Sequence, residues 1–339
     1  MVADSSNILL EFGKILSHRR LESQSAAAIA DWQLTVAQHA RVRICSELPV
    51  GNYSLTMTSI KKVGILGSGI MGSGLAEVVA RAGLDVVVRS RTQAGADAVL
   101  AKVGSGLARH VTKERMTEEE RQAVLGRISV TDHLGQLADC DLVIESVVED
   151  LEVKRALFAE LEQIVKPEGL LATNTSTLPV VELAMMTQRP SQVCGIHFFN
   201  PAPAMSLVEI IRPLTAADET IAAASSFVEA CGKKAVHVED RAGFIVNALL
   251  FPYLNNAVRM LENGTASMDD IDAAMMGGCN FPMGPFALLD LVGLDTSVSI
   301  LDALYAEFSD ANYAAVPLLR RMVAAGHLGR KSKQGFRSY

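Results

Sequence analysis

Residues 61–92 read KKVGILGSGIMGSGLAEVVARAGLDVVVRSRT, and the fold turns on how this stretch is read. Apolar 63–66 predicts a strand, 71–82 a helix that Gly83 stops, and 86–88 a second buried strand. Between the first strand and the helix stands Gly67-Ser68-Gly69-Ile70-Met71-Gly72, a G-x-G-x-x-G turn. Alone that spacing is weak. At a strand-to-helix junction, with a second strand about 20 residues on, it has the context of a dinucleotide turn. Gly67 permits the tight bend, Gly69 lets a pyrophosphate approach the backbone, and Gly72 lets helix and strand pack closely. The helix N-terminus offers N–H groups and a positive dipole end to the phosphates. A merely structural glycine turn is the bland alternative.

The residues after the second strand bear on the choice of dinucleotide. An NAD site commonly places Asp or Glu there for the ribose 2′-hydroxyl. This chain has Arg89-Ser90-Arg91 instead. Two guanidiniums flanking a hydroxyl suit a 2′-phosphate, so the reading favours NADP(H), with NAD(H) and two solvated arginines as the alternative.

Strands at 142–145, 170–173 and 193–197 alternate with helices at 94–110, 117–126, 151–165 and 178–186. Thr117 and Glu120 form a capping-box pattern at the start of the second of these. Unbroken apolar strands alternating with helices predict an α/β fold, a Rossmann-type doubly wound parallel sheet covered on both faces. After Asp240 only helices are read, at 244–263, 267–277, 285–308 and 316–326. The expected domains are 58–241, binding the dinucleotide, and 242–339, an all-α domain for substrate and dimerisation. Residues 1–57 form an extension of unknown role. It offers helical pieces at 6–17 and 24–40, and Met57 just before the first strand is an alternative start.

Composition removes several classes of function. The 339 residues are 49% apolar and 20% charged, with a net charge of −7, which argues against a nucleic-acid or anionic-membrane partner. Five cysteines without a CxxC pair argue against a disulfide framework, and no metal-ligand spacing stands out. The longest uncharged stretch, 190–208, holds three prolines and reads as a loop-rich core segment, not a membrane span. Residues 1–58 carry five acids and five bases, unlike a secretory or mitochondrial leader, so the expected compartment is the cytoplasm.

The motifs ILGSGIMGSGLA (65–76), IESVVEDLEVK (144–154), NTSTL (174–178), GIHFFNPAPAMSLVEII (195–211), GFIVNALL (243–250), FPMGPFALLDLVGLD (281–295) and GRKSKQGF (329–336) follow in that order. Together they resemble the L-3-hydroxyacyl-CoA dehydrogenase family, especially its single-function 3-hydroxybutyryl-CoA dehydrogenase branch, from about residue 60 to the end. Oxidising a secondary alcohol by hydride transfer leaves a proton to remove, for which imidazole is the usual base. Of the seven histidines, His197 stands at a strand end in a glycine- and proline-punctuated segment, although periodicity alone also fits a core histidine.

The resemblance implies that His197 is the base and Glu209 its acidic partner. By the same carry-over Ser176 meets the substrate 3-oxygen and Asn247 faces the cleft. Glu149, Lys154, Asn174, Ser176 and Lys331 would border the nicotinamide half of the cofactor. Lys113 would contact CoA phosphates, with a solvated charge as the alternative for Lys113, Lys154 and Lys331. Met205, Phe244, Phe251, Phe281 and Met283 fit either an acyl pocket or plain core. The implied protein is a homodimer taking an acyl-CoA. The rivals are a dehydrogenase of a non-CoA hydroxy acid and a non-catalytic dinucleotide-binding protein.

Overall fold

A computed structural model describes residues 60–339, so the readings made for 1–57 lie outside the described residues. The chain begins with β1 (Lys62–Leu66), α1 (Ile70–Arg81), β2 (Asp85–Arg89), α2 (Gln93–Thr112), α3 (Glu118–Leu125) and β3 (Ile128–Thr131). It continues through β4 (Leu142–Glu145), α4 (Leu151–Ile164), β5 (Leu170–Thr173), α5 (Val180–Ala184), β6 (Val193–Phe198) and β7 (Leu207–Arg212). Then come α6 (Asp218–Ala230) and β8 (Lys234–Glu239). After β8 the described elements are helical: α7 (Val246–Glu262), α8 (Met268–Cys279), α9 (Pro285–Val292), α10 (Leu294–Phe308) and α11 (Pro317–Ala324), with short 3-10 turns.

The eight strands form one sheet in the order β3-β2-β1-β4-β5-β6-β7-β8. From β1 the chain winds outward to β2 and β3, then returns to β4 on the other side of β1. The reversal leaves a crevice at the C-terminal ends of β1 and β4, where open α/β sheets bind ligands. Period-two alternation sends side chains to both faces. Val86, Val88, Leu142 and Ile144 join a core with Leu75, Val79, Val99 and Leu107 from α1 and α2. Val87, Val143 and Leu171 face the opposite way and meet Phe158 and Leu161 of α4.

The expected parallel sheet needs one correction. β6 and β7 are antiparallel, and the other neighbouring strands are parallel. The loop 199–206 between them is shorter than the roughly dozen residues a parallel crossover takes, so the chain must turn straight back. β3, β7, α6 and β8 were unread in the sequence. Glu209 interrupts the apolar run of β7, and β8 is a partly exposed edge strand with a mixed pattern. The helix read over 285–308 is two helices, because Gly293 takes φ +104° and breaks it. The capping box at Thr117 and Glu120 forms as read.

The helical segment packs around Phe251, Leu254, Val258, Phe286, Leu289, Leu301 and Leu319. Within that apolar core Asn255 is fully enclosed, accepting from Val316 N–H at 3.0 Å and donating to the Ala314 carbonyl at 2.8 Å. It thereby fastens the chain before α11 to α7, the helix that also carries Asn247. Asn255→Ala leaves the buried Val316 N–H without an acceptor, at about 1–3 kcal/mol, and takes the donor from the half-buried Ala314 carbonyl. The expected outcome in urea denaturation is a loss of about 2–4 kcal/mol of unfolding free energy.

Candidate active site

Each glycine of the turn after β1 has its own steric reason. Gly67 takes φ +120°, and a Cβ there would lie 2.2 Å from the Ser146 carbonyl oxygen. A Cβ on Gly72 would lie 1.9 Å from the Gly67 carbonyl oxygen. Gly69 is different: nothing stands within 4 Å of where its Cβ would be. It is the N-cap of α1, no side chain caps it, and the first turn holds no acid. The next residue, Ile70, is 64% exposed. The turn therefore presents free N–H groups and open space to an anion, and these residues fit a dinucleotide pyrophosphate. Ser68 lies beside it, its Oγ 2.8 Å from Ser90 Oγ.

At the end of β2 the three residues singled out for the ribose part company. Ser90 is buried against Ser68. Arg89 is half-buried, its Nε donating to the Asp132 carbonyl at 3.3 Å. Arg91 is exposed.

His197 and Glu209 face each other directly across the antiparallel β6–β7 pair. His197 Nδ1 is 2.8 Å from Glu209 Oε2, with both side chains buried. The other carboxylate oxygen, Oε1, accepts the N–H groups of Ile245 and Val246, each at 3.0 Å, at the start of α7. A helix N-terminus is a favourable seat for a carboxylate charge. Gly243 and Phe244, with φ of +73° and +50°, make the turn that aims those N–H groups. Phe199 and Phe244 flank the imidazole, with ring centroids 4.5 and 5.5 Å away. His197 Nε2 has no partner among the described residues.

The loop after β5 comes to the same place. Asn174 Oδ1 accepts Phe198 N–H at 2.8 Å, next to the histidine. Asn247 Nδ2 makes a long 3.5 Å contact with the Ser176 carbonyl. Ser176 Oγ has no partner among the described residues. Contacts thus link Asn174, Ser176, Asn247, Glu209 and His197 into a closed circuit of neighbours. These five candidates are brought together.

Glu149 and Lys154 lie behind that loop. Glu149 Oε1 accepts Ser176 N–H at 2.8 Å and the Thr175 hydroxyl at 2.5 Å, while Oε2 is 3.1 Å from Lys154 Nζ. Burial works to raise this carboxyl, but the Lys154 ammonium and the two hydrogen bonds outweigh it and hold it below the usual glutamate range. Lys154 is 1% exposed, so it is not the solvated charge that was its bland alternative.

Two candidates stay apart from the circuit. Lys113 is exposed at the C-terminal end of α2, and Lys331 pairs with Asp295 at 2.6 Å in the C-terminal tail. Of the residues fitting a pocket or core, Phe251 is core, Phe244 covers the imidazole, and Met205 and Phe281 are exposed. Sequence reasoning missed Glu145, whose carboxylate lies under the loop, and the Ile245 and Val246 amides. Backbone N–H groups leave no mark in a sequence. Glu145 did carry a signal, a carboxylate ending an apolar strand.

Comparison with known proteins gives the family. The family described as 3-hydroxyacyl-CoA dehydrogenase, NAD binding domain, matches residues 62–241, and its C-terminal domain matches residues 243–339. A 3-hydroxybutyryl-CoA dehydrogenase of Mycobacterium tuberculosis is 46% identical over 283 residues, covering 83% of this chain and 99% of the relative. The crystal structure of M. tuberculosis FadB2 superposes with a TM-score of 0.82 at 46% identity, over 83% of this chain and 100% of that one. The (S)-3-hydroxybutyryl-CoA dehydrogenase PaaH1 from Ralstonia eutropha gives 0.81 at 40% identity, over 83% and 99%.

The contrast between Gly69 and Gly72 gives a test that separates folding from binding. Gly69→Ala is expected to leave the thermal midpoint of the free protein unchanged. Its Kd for the dinucleotide, read by nucleotide fluorescence, should rise on the order of tenfold or more, about 1.4 kcal/mol. Gly72→Ala is expected to lower the midpoint as well, since its methyl meets backbone rather than space.

Proposed function

Because the chain belongs to the 3-hydroxyacyl-CoA dehydrogenase family, we propose that it interconverts short-chain (S)-3-hydroxyacyl-CoA, typified by 3-hydroxybutyryl-CoA, and the 3-oxoacyl-CoA. The observation that carries the reading is the His197–Glu209 pair, one imidazole nitrogen tied at 2.8 Å and the other without a partner among the described residues, in the same sheet that carries the open glycine turn. The nicotinamide ring, when bound, supplies the hydride acceptor in oxidation and the donor in reduction.

The chain's own residues manage the proton. Glu209 accepts from Nδ1–H, which fixes the tautomer with its lone pair on Nε2. Nε2 takes the 3-hydroxyl proton as the C–O bond becomes a carbonyl, and in reduction it returns that proton. The imidazolium so formed faces a carboxylate that already holds two helix N–H groups and need not move to receive the charge. Phe199 and Phe244 keep water from the flanks of the ring. Ser176 Oγ and the Asn247 amide would hold the 3-oxygen, and Asn174 keeps the loop against the histidine strand.

The absence of a carboxylate at the end of β2, with Arg89 and Arg91 on either side of a buried serine, supports NADP(H) over NAD(H). Lys113, exposed on α2, suits a CoA phosphate, and Lys331 would reach the cofactor only by leaving Asp295. The working division is a dinucleotide domain, 58–241, and a helical domain, 242–339. The exposed Ile245, Leu249, Met260 and Phe281 of the helical part support pairing of two copies. Burial pushes the thiols of Cys140, Cys194 and Cys231 up to about 12, and the four cysteines among the described residues are all free, which suits the reducing cytoplasm. Among the described residues no helix is long and apolar enough to cross a membrane.

Initial rates of acetoacetyl-CoA reduction, with NADPH and NADH titrated side by side, test the reading. Turnover with a clear NADPH advantage is expected, and Arg91→Ala should erode that advantage. NADH preference would overturn the assignment of the two arginines. Turnover of a free hydroxy acid but not of acetoacetyl-CoA would move the protein to the non-CoA class. His197→Gln is expected to cost about 10²–10⁴ in kcat while dinucleotide binding survives, as for loss of a general base. Undiminished turnover in that variant would show the base to lie elsewhere.

A further inference from the structure

Glu145 is wholly enclosed, and neither the dinucleotide nor the substrate reading uses it. It ends β4, beside Thr173 at the end of β5. Its Oε1 accepts Val147 N–H at 2.6 Å and Lys154 Nζ at 2.8 Å. Its Oε2 accepts the same Nζ at 2.8 Å and the Thr173 hydroxyl at 2.7 Å. Counting Glu149 at 3.1 Å, the Lys154 ammonium meets three carboxylate oxygens and has three N–H groups to give. All three N–H groups of Lys154 thus have carboxylate acceptors within the protein.

Two routes run from Glu145 to the loop that carries Asn174 and Ser176. The first passes through Thr173, whose Oγ1 accepts Thr175 N–H at 3.2 Å. The second passes through Lys154 to Glu149, whose carboxylate holds Ser176 N–H and the Thr175 hydroxyl. The backbone adds a third tie, Asn174 N–H to the Glu145 carbonyl at 2.8 Å. An enclosed ammonium shared by two carboxylates is expensive to disturb, because its buried N–H groups lose acceptors even though Glu149 still balances the charge. An amide in place of Glu145 would turn its N–H groups toward Lys154 in either orientation, and toward the Val147 N–H or the Thr173 hydroxyl as well. Lys154 would then draw Glu149 inward, off Ser176.

We propose that Glu145 is a positioning residue for the reaction, setting Ser176 and Asn174 through Thr173 and through the Lys154–Glu149 pair. The proposal rests on the reading of Ser176 as the contact to the substrate 3-oxygen. Misplacing a reacting contact by about 1 Å costs on the order of 10²-fold in rate. Groups that act through one another also fail to add in a double-mutant cycle.

The test is kcat for acetoacetyl-CoA reduction in the full chain for wild type, Glu145→Gln, Ser176→Ala and the double variant. Each single variant is expected to lose about 10- to 100-fold. The double variant should fall less than about threefold below the worse single one. Multiplied losses, or a folded Glu145→Gln with wild-type kcat, overturn the proposal while the Ser176 reading stands. Wild-type turnover in Ser176→Ala removes that reading and the proposal with it. If Glu145→Gln does not fold, Thr173→Val cuts the first route and leaves the three charges of the cluster in place. In the same cycle with Ser176→Ala, non-additive losses support the proposal and multiplied losses overturn it.

Discussion

The carboxylate of Glu209 is the joint on which the site depends. One oxygen holds His197 across a pair of strands, and the other holds the first N–H groups of α7. The sheet thus delivers the histidine, and the helical segment delivers both the phenyl ring of Phe244 and the amide of Asn247. A single buried anion makes these two parts of the chain agree on one geometry. The β-hairpin supplies the precision, since His197 and Glu209 are opposite residues of one antiparallel pair and cannot drift apart. That is the physical use of the one antiparallel pairing in the sheet.

A second constraint comes from winding. Because the strand order reverses between β1 and β4, the ends of β1, β4 and β5 converge on one crevice. The glycine turn leaves β1 there, Glu145 ends β4, and Asn174 follows β5. The Gly67 bend against the Ser146 carbonyl makes the turn and the β4 end neighbours by contact as well as by topology. Beneath the crevice the Glu145–Lys154–Glu149 cluster carries two formal negative charges and one positive. Such a cluster is tolerable because every donor and acceptor finds a partner, and it stiffens the loop above it.

Much of this was legible in the sequence because it is local. The turn 67–72 announces itself through glycines whose steric reasons operate within a few residues, and the apolar strands through their runs. Ser176, His197, Glu209 and Asn247 were found through motifs whose order matches a known family, not through periodicity, which fits His197 equally well in a plain core. β7 was hidden by its own candidate site residue, since Glu209 breaks the apolar run that would have shown the strand. The solvated alternative for Lys154 fails for a related reason. A lysine in a polar-looking motif reads as solvated, and only the fold shows two glutamates enclosing it.

The sequence by itself determined the class of fold and the place of the glycine turn, because steric and hydrophobic rules act over short spans of chain, and it supplied the candidate reacting groups only through the order of a family's motifs. Only the tertiary structure decided the direction of β7, the closure of the circuit from Asn174 to His197, and the enclosure of Glu145. These depend on where residues of different elements meet, as Asn174 meets Phe198, Thr173 meets Glu145 and Glu209 meets Val246. They also depend on backbone N–H groups, which every non-proline residue carries alike and which acquire a function only when the fold aims them.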